Sequence, residues 1–266
     1  MERPAWAPDE VDINRPSVAR VYDYYLGGSH NFEVDRRFAT QVLDVLPEMA
    51  AVARQNRAFL RRVVHLLREQ GIDQFLDLGS GIPTAGNVHE IAAGIGGEPR
   101  VLYVDNDPIA VSHSRALLSG DDRTEVLAAD LTDPRAVLEA PLTRRHLDLD
   151  RPLAVLLVSV LHFVGDEQCP DEIVRTYMDA VPPGSHVVIS HASDAGHSGA
   201  TDAQTVYNRG RSPNAMRMRD VAEVEALFGD LTLLDPGVVR IPQWRPEPGA
   251  GTTMENYPGL AGVARS

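Results

Sequence analysis

Three carboxylates close three short aliphatic runs, and their positions suggest a site. Asp77 sits in Gln74-Phe75-Leu76-Asp77-Leu78, Asp105 ends Val101-Leu102-Tyr103-Val104, and Asp130 follows Glu125 to Ala129. Each run is the length and composition of a buried strand. The first is followed by Gly79-Ser80-Gly81, a turn whose glycines tolerate positive φ and leave no Cβ between backbone and ligand. A helix beginning near Thr84 would aim unpaired N–H groups at that turn. An acid beside the glycine turn suits an ammonium. An acid at the end of the second strand suits a vicinal diol, because the carboxylate fork accepts two hydroxyls. One at the end of the third can accept from an exocyclic amine, with the Leu131 backbone N–H beside it for a ring nitrogen.

The glycine turn narrows the choice of nucleotide. A dinucleotide fingerprint needs Gly or Ala at its third position, where this chain has Thr84 after Pro83, and Asp77 would repel a diphosphate. Asp-x-Gly-x-Gly resembles motif I of the class I S-adenosylmethionine (SAM) methyltransferases. That resemblance implies cofactor contacts from Asp77, Gly79, Ser80 and Gly81, ribose contacts from Asp105 with Asn106 after it, and adenine contacts from Asp130 and Leu131. Ser159, after the strand Leu153 to Val158, would face the sulfonium end or the acceptor. His162, three residues on, is the candidate general base for an acceptor needing deprotonation, or else a packed histidine in the strand-to-helix turn. Transfer from a sulfonium requires no covalent enzyme intermediate, so positioning and desolvation can suffice.

A second resemblance is more specific. PSVARVYDYYLGGSHNFEVDRRFA and the later QNRAFLRR, the Gly-Ile-Pro-Thr-x-x-Asn-Val-His-Glu run and the Trp-Arg-Pro near the end are similar to a bacterial family of SAM-dependent methyltransferases, formerly a domain of unknown function. The similarity spans roughly residues 12 to 265. It implies the fold and the cofactor, and leaves the acceptor and the oligomeric state open. Within it, Tyr22, Tyr25, Gly28, Asn31 and Phe32 form an aromatic, glycine-turned segment that would either fold over the cofactor or pack into the core. Arg57 would pair with the methionyl carboxylate or lie on the surface.

Composition excludes several other chemistries. All 25 basic residues are arginine. Without lysine there is no P-loop, no Schiff base, no kinase strand lysine and no Tyr-x-x-x-Lys dehydrogenase pair. The formal charge of −13 argues against nucleic acid as partner. No apolar run approaches the roughly 20 residues of a membrane span, and no secretory signal opens the chain; a cytoplasmic enzyme is expected. The single cysteine, Cys169, supports neither disulfides nor a cysteine-based zinc site. His89-Glu90 opens no His-Glu-x-x-His motif, since residue 93 is alanine, and no metal site is expected.

The elements that must position these residues alternate. Three N-terminal helices are expected: Ser17 to Leu26, Asn31 to Leu46 and Met49 to Gln70. Strands at 74–78, 101–105, 125–129, 153–158 and 186–191 follow, separated by helices at Pro108 to Leu118, Pro134 to Ala140 and Asp166 to Val181. Residues 140–150 read as a charged loop, 192–217 as a mobile surface excursion, and the tail as helix Met218 to Phe228 and strands 231–234 and 260–264. This predicts a doubly wound, mostly parallel, seven-stranded α/β sheet of the class I methyltransferase type. Residues 1–71 would form a tail and a helical lid, and 72–266 the cofactor-binding core. The expected function is SAM-dependent methyl transfer to a small molecule of secondary-metabolite kind. The rivals are a SAM-binding protein without transferase activity and a nicotinamide-dependent oxidoreductase.

Overall fold

The structure, a computed structural model, describes residues 12–83, 86–194, 196–209, 215–247 and 256–266. Three helices come first: α1 (Val18–Tyr25), α2 (Glu33–Val45) and α3 (Met49–Glu69). Then β1 (Gln74–Leu78), α4 (Val88–Gly94), β2 (Arg100–Asp105), α5 (Pro108–Leu117) and β3 (Thr124–Ala128) follow, with α6 (Pro134–Glu139), α7 (Pro141–His146) and β4 (Ala154–Val158) after them. The chain continues through α8 (Pro170–Asp179), β5 (His186–Ala192), α9 (Ser198–Arg209), α10 (Val221–Ala226), β6 (Thr232–Leu233), β7 (Val239–Arg240) and β8 (Gly259–Arg265). Among these residues no helix is long and apolar enough to cross a membrane.

The sheet runs β3-β2-β1-β4-β5-β8-β6, with β7 pairing on β8. Strands β1 to β5 are parallel, and β8 returns antiparallel against β5, pairing His186 with Arg265 and Ala192 with Gly259. The doubly wound sheet is as expected: seven strands lie on the main path, and the two-residue β7 is an eighth. The order reverses between β1 and β4, where crevices at the carboxyl ends of open α/β sheets take ligands.

Both faces of the sheet are covered, which is why its central strands are almost wholly aliphatic. Phe75, Val101, Ala154 and Val188 pack with Phe59, Leu60, Val63 and Val64 of α3. The alternate residues Leu76, Leu102, Val155 and Val187 pack with Ile173, Val174 and Tyr177 of α8. Side chains alternate along a strand, so Asp77 shares the α3 face with Phe75. The Trp-Arg-Pro run is an anchor: Trp244 is fully buried, edge-on to Phe59 at 5.4 Å, and Arg62 donates to its carbonyl at 3.0 Å.

Several expectations are corrected. The helix after the glycine turn is described only from Val88; it is led by Asn87, whose N–H donates to Glu90 Oε2 at 2.9 Å. Its expected start at Thr84 lies outside the described residues, as does most of the tail expected at residues 1–13. The charged loop contains α7, whose polar residues bond inward: Thr143 Oγ1 donates to the Val137 carbonyl at 2.6 Å. The helix expected from Asp166 is broken at Cys169, held at φ 50°, so that α8 starts at Pro170. The segment 192–217 is not simply an excursion. It contains α9, which buries Ala200, Ala203 and Tyr207 against α1 and α2. Gly199 permits that approach, since a Cβ there would collide with the Val45 carbonyl oxygen. Residues 210–214 of the segment lie outside the described residues.

Candidate functional site

One cavity of about 530 Å³ opens at the switch point, and most of the residues singled out from sequence line it. Asp77, Gly79, Ser80, Gly81, Asp105, Asn106, Asp130, Leu131, Ser159, His162, Tyr22 and Arg57 all do. They come from the carboxyl ends of four parallel strands and from α1 and α3.

The glycine turn is built for close approach. Gly79 sits at φ 70°, and a Cβ there would overlap the Val160 side chain. Gly81 sits at φ 67° with open space where a Cβ would be, a gap that a ligand can fill. The Gly81 N–H donates to Asp105 Oδ2 at 2.7 Å, and the Asp107 N–H to Asp105 Oδ1 at 2.8 Å. These two bonds, with a further backbone contact from Asn106, fix the Asp105 carboxylate. Burial raises the Asp105 carboxyl to about 6, against the pull of those backbone bonds. Asp77 is raised to about 7, first by burial, with Arg57 opposing and Asp105 adding to the rise. Arg57 itself donates to the Gly86 carbonyl at 2.7 Å and to Asn87 Oδ1 at 3.3 Å, which ties α3 to the loop before α4. Asp130 is exposed; its Oδ1 accepts from the Thr132 N–H and hydroxyl, and Asn106 Nδ2 reaches its Oδ2 at 3.4 Å. Ser159 takes φ 63°, a conformation costly for a residue with a Cβ, at the end of β4 where the cavity begins.

His162 is buried, and a backbone amide lies against its ring. The Ala192 N–H lies 3.3 Å from His162 Nδ1, and an amide can only donate, so Nδ1 is unprotonated and Nε2 carries the proton. Burial, then the neighbouring His191 and Arg219, hold its pKa well below the usual imidazole value. The ring is therefore a neutral hydrogen-bond donor.

Tyr25, Gly28, Asn31 and Phe32 do not line the cavity. They shape the segment that does. Buried Asp23 accepts from the His30 N–H at 2.9 Å and from Asn31 Nδ2 at 2.8 Å. Gly28 is packed so closely on the Asp23 carboxylate that a Cβ would overlap it. The Phe32 N–H donates to Asp35 Oδ2 at 2.8 Å, Arg20 pairs with Asp35 at 2.9 Å, and the Arg20 guanidinium lies 5.0 Å from the Phe32 ring. Tyr25 belongs to the cluster joining α1, α2 and α9.

Sequence reasoning missed the far wall: Met49, Asn56, His191, Ala203, Tyr207, Met216 and Met218 all line the cavity. Ala200, Ala203 and Tyr207 recur at helical spacing, but two alanines and one aromatic make only a weak signal. It also missed Arg219, whose buried guanidinium donates to the Leu161 and Val164 carbonyls, lies 2.9 Å from His191 Nε2, and pairs with Asp166 at 2.6 Å.

A Rossmann-like sheet with a glycine turn and three acids at successive strand ends defines a class I methyltransferase architecture, and comparison with known proteins agrees. Residues 4–266 match the S-adenosyl methyltransferase family model, and the chain belongs to that family. A structure described as a "putative methyltransferase" of Thermobifida fusca is 39% identical, with 99% of each chain covered and a TM-score of 0.93. A DUF574 family protein of Streptomyces avermitilis is 36% identical over 96% of this chain and 100% of its own, with a TM-score of 0.90. At 13% identity, the N-methyltransferase NodS of Bradyrhizobium japonicum in complex with S-adenosyl-L-homocysteine shares the fold, with a TM-score of 0.54 over 93% of this chain and 98% of its own. No curated protein matches the chain. The protein is accordingly a SAM-dependent methyltransferase, and the open Gly81 cradle among strand-end acids fits that cofactor.

Proposed function

We propose that the protein methylates a small-molecule acceptor, of secondary-metabolite kind, in the cytoplasm. The observation that carries this reading is that the glycine turn and three strand-end acids share one cavity with an apolar wall. Bound SAM supplies an electrophilic methyl group on a sulfonium. In this reading Asp77 takes the methionyl ammonium and Arg57 the methionyl carboxylate. Gly79, Ser80 and Gly81 form the floor. Asp105, with Asn106 beside it, takes the ribose diol, and Asp130 and the Leu131 N–H take the adenine edge. Ser159 and His162 stand at the methyl end, His162 as a donor that orients and not as a base. Tyr22 closes the site from α1. Calorimetric titration is expected to show binding of SAM and of its demethylated product, with NAD silent. Tight NAD binding with silent SAM would sink this assignment.

Residues 17–35 act in this reading as a lid. Ser17, Val18, Ala19 and Tyr22 reach the cavity, while Gly28, Asn31 and Phe32 hold the turn behind them. A ligand orders a segment only through contacts that differ between its states. Amide exchange across 17–35 should therefore slow when demethylated product is added, together with Gly79 to Gly81. Exchange there that is already slow and does not respond would make the segment a fixed wall.

A further inference from the structure

The cavity is divided by chemistry. Its charged side chains are the acids Asp77, Asp105, Asp107 and Asp130 at and beyond the strand ends, and Arg57 of α3, which acts on both Asp77 and Tyr22. Under α1, α3 and α9 the wall is apolar, with Leu46, Met49, Ala53, Ala203, Met216 and Met218. The polar groups among them are already committed. The Tyr22 hydroxyl donates to the Ala53 carbonyl at 3.2 Å and accepts from Asn56 Nδ2 at 3.1 Å. The Tyr257 hydroxyl donates to the Val52 carbonyl at 2.7 Å. Asn56 Oδ1 accepts from Ser190 at 2.7 Å. His191 Nδ1 lies 2.7 Å from the Ala192 carbonyl, so that nitrogen carries the proton and Nε2 accepts from Arg219. His162 Nδ1 takes the Ala192 N–H. Burial pushes the Tyr207 hydroxyl up to about 12, so it stays protonated.

Among the described residues, this compartment thus offers no side chain free to remove a proton, and the guanidinium that lines the cavity, Arg57, is bonded to the Gly86 carbonyl and Asn87 Oδ1 and is assigned above to the methionyl carboxylate. A hydroxyl or thiol acceptor loses a proton on transfer and is slowed where neither a base nor a cation is at hand. A neutral nitrogen needs neither. We propose that the compartment takes an uncharged, apolar, ring-sized acceptor presenting a neutral aryl or heteroaryl amine. The proposal rests on the cofactor placement given above. The nitrogen lone pair forms the N–C bond as the C–S bond breaks, the C–S electron pair stays on sulfur, and the positive charge passes from sulfur to nitrogen. An N–H proton is then lost to solvent after release. The apolar wall favours the neutral amine over its ammonium, because burial penalises the charged form.

The test uses the full chain loaded with demethylated product and three ring-matched probes: 5-aminoindane, 5-indanol and indane-5-carboxylate. Calorimetry should show the amine and the alcohol binding alike and the carboxylate at least about tenfold weaker, since it would bury an unpaired charge. With SAM in place of its product, mass spectrometry should show the amine alone gaining a methyl group. Ala203→Leu, which fills the compartment, should weaken amine binding by about tenfold or more and leave product binding within about twofold. Met216→Gln should act in the same direction without adding bulk. Equal binding of the carboxylate, equal methylation of the alcohol, or silence of all three probes while product binds would overturn the amine acceptor and leave the cofactor site standing. Failure to bind demethylated product would remove the cofactor placement and this proposal with it.

Discussion

Replacing Asp105 by alanine is expected to weaken SAM binding by about 3 kcal/mol, roughly a hundredfold in Kd. Its carboxylate is held by the Gly81 and Asp107 N–H groups at 2.7 and 2.8 Å, and the residue lines the cavity. A vicinal diol bound there gains two charge-assisted hydrogen bonds, each worth about 1.5–3 kcal/mol at most. The alanine variant also orphans two backbone donors, so its stability should fall together with its affinity. Asp105→Asn separates the two effects. Both carboxylate oxygens now accept, and an amide can place an oxygen at only one of them. It should keep one backbone bond, lose the other, and fall between wild type and alanine in affinity. Calorimetry with SAM, paired with denaturant unfolding of the same variants, reads both quantities. Unchanged affinity in the alanine variant would place the ribose elsewhere.

The parts of this site that were legible in the sequence are those in which one residue type has one reason to be where it is. Aliphatic runs ending on Asp77 and Asp105 mark strand ends, because a buried parallel strand tolerates a carboxylate only where the sheet opens. Gly79 and Gly81 mark the turn because both take positive φ. The far wall was not legible. The burial of α9 depends on Ala200 and Ala203, residues too small to give a strong periodic signal, beside glycines that read as loop. The structural role of α7 shows only through long-range bonds such as His146 Nε2 to the Val101 carbonyl at 3.1 Å. Gly28, Asn31 and Phe32 carry the family resemblance, yet they act at one remove. Their signature encodes a turn wrapped around Asp23 and a buried Arg20–Asp35 pair, and spacing along the chain does not distinguish such a support from a ligand contact. His162 was visible as a residue, but its tautomer depends on the Ala192 amide from β5, thirty positions away.

Asp77 should carry a large pH effect. Its carboxyl is raised from 3.8 to about 7, chiefly by burial, with Arg57 pulling it down and Asp105 pushing it up. A folded-state pKa above the unfolded one means that the folded protein binds more protons across that window. The stability of the ligand-free protein is therefore full below about pH 4 and is lost as pH rises towards about 7. Asp105, raised to about 6, contributes with the same sign over a narrower range. Asparagine at position 77 cannot ionise and escapes this loss. Asp77→Asn should therefore be more stable than wild type near pH 8, by an amount on the order of 2–4 kcal/mol, with the difference vanishing near pH 4. Its binding should move the other way. An ammonium is attracted by the carboxylate and not by the amide, so wild-type affinity for SAM should rise as pH passes through about 7, while the variant binds more weakly and with a flatter profile. Urea unfolding at several pH values, with SAM titrations at the same values, measures both curves. An Asp77→Asn protein less stable than wild type near pH 8 would show that the ionised carboxylate and Arg57 form a pair that supports the fold. A more stable variant with weakened SAM binding would mean that the fold keeps a costly buried acid in place for its ligand.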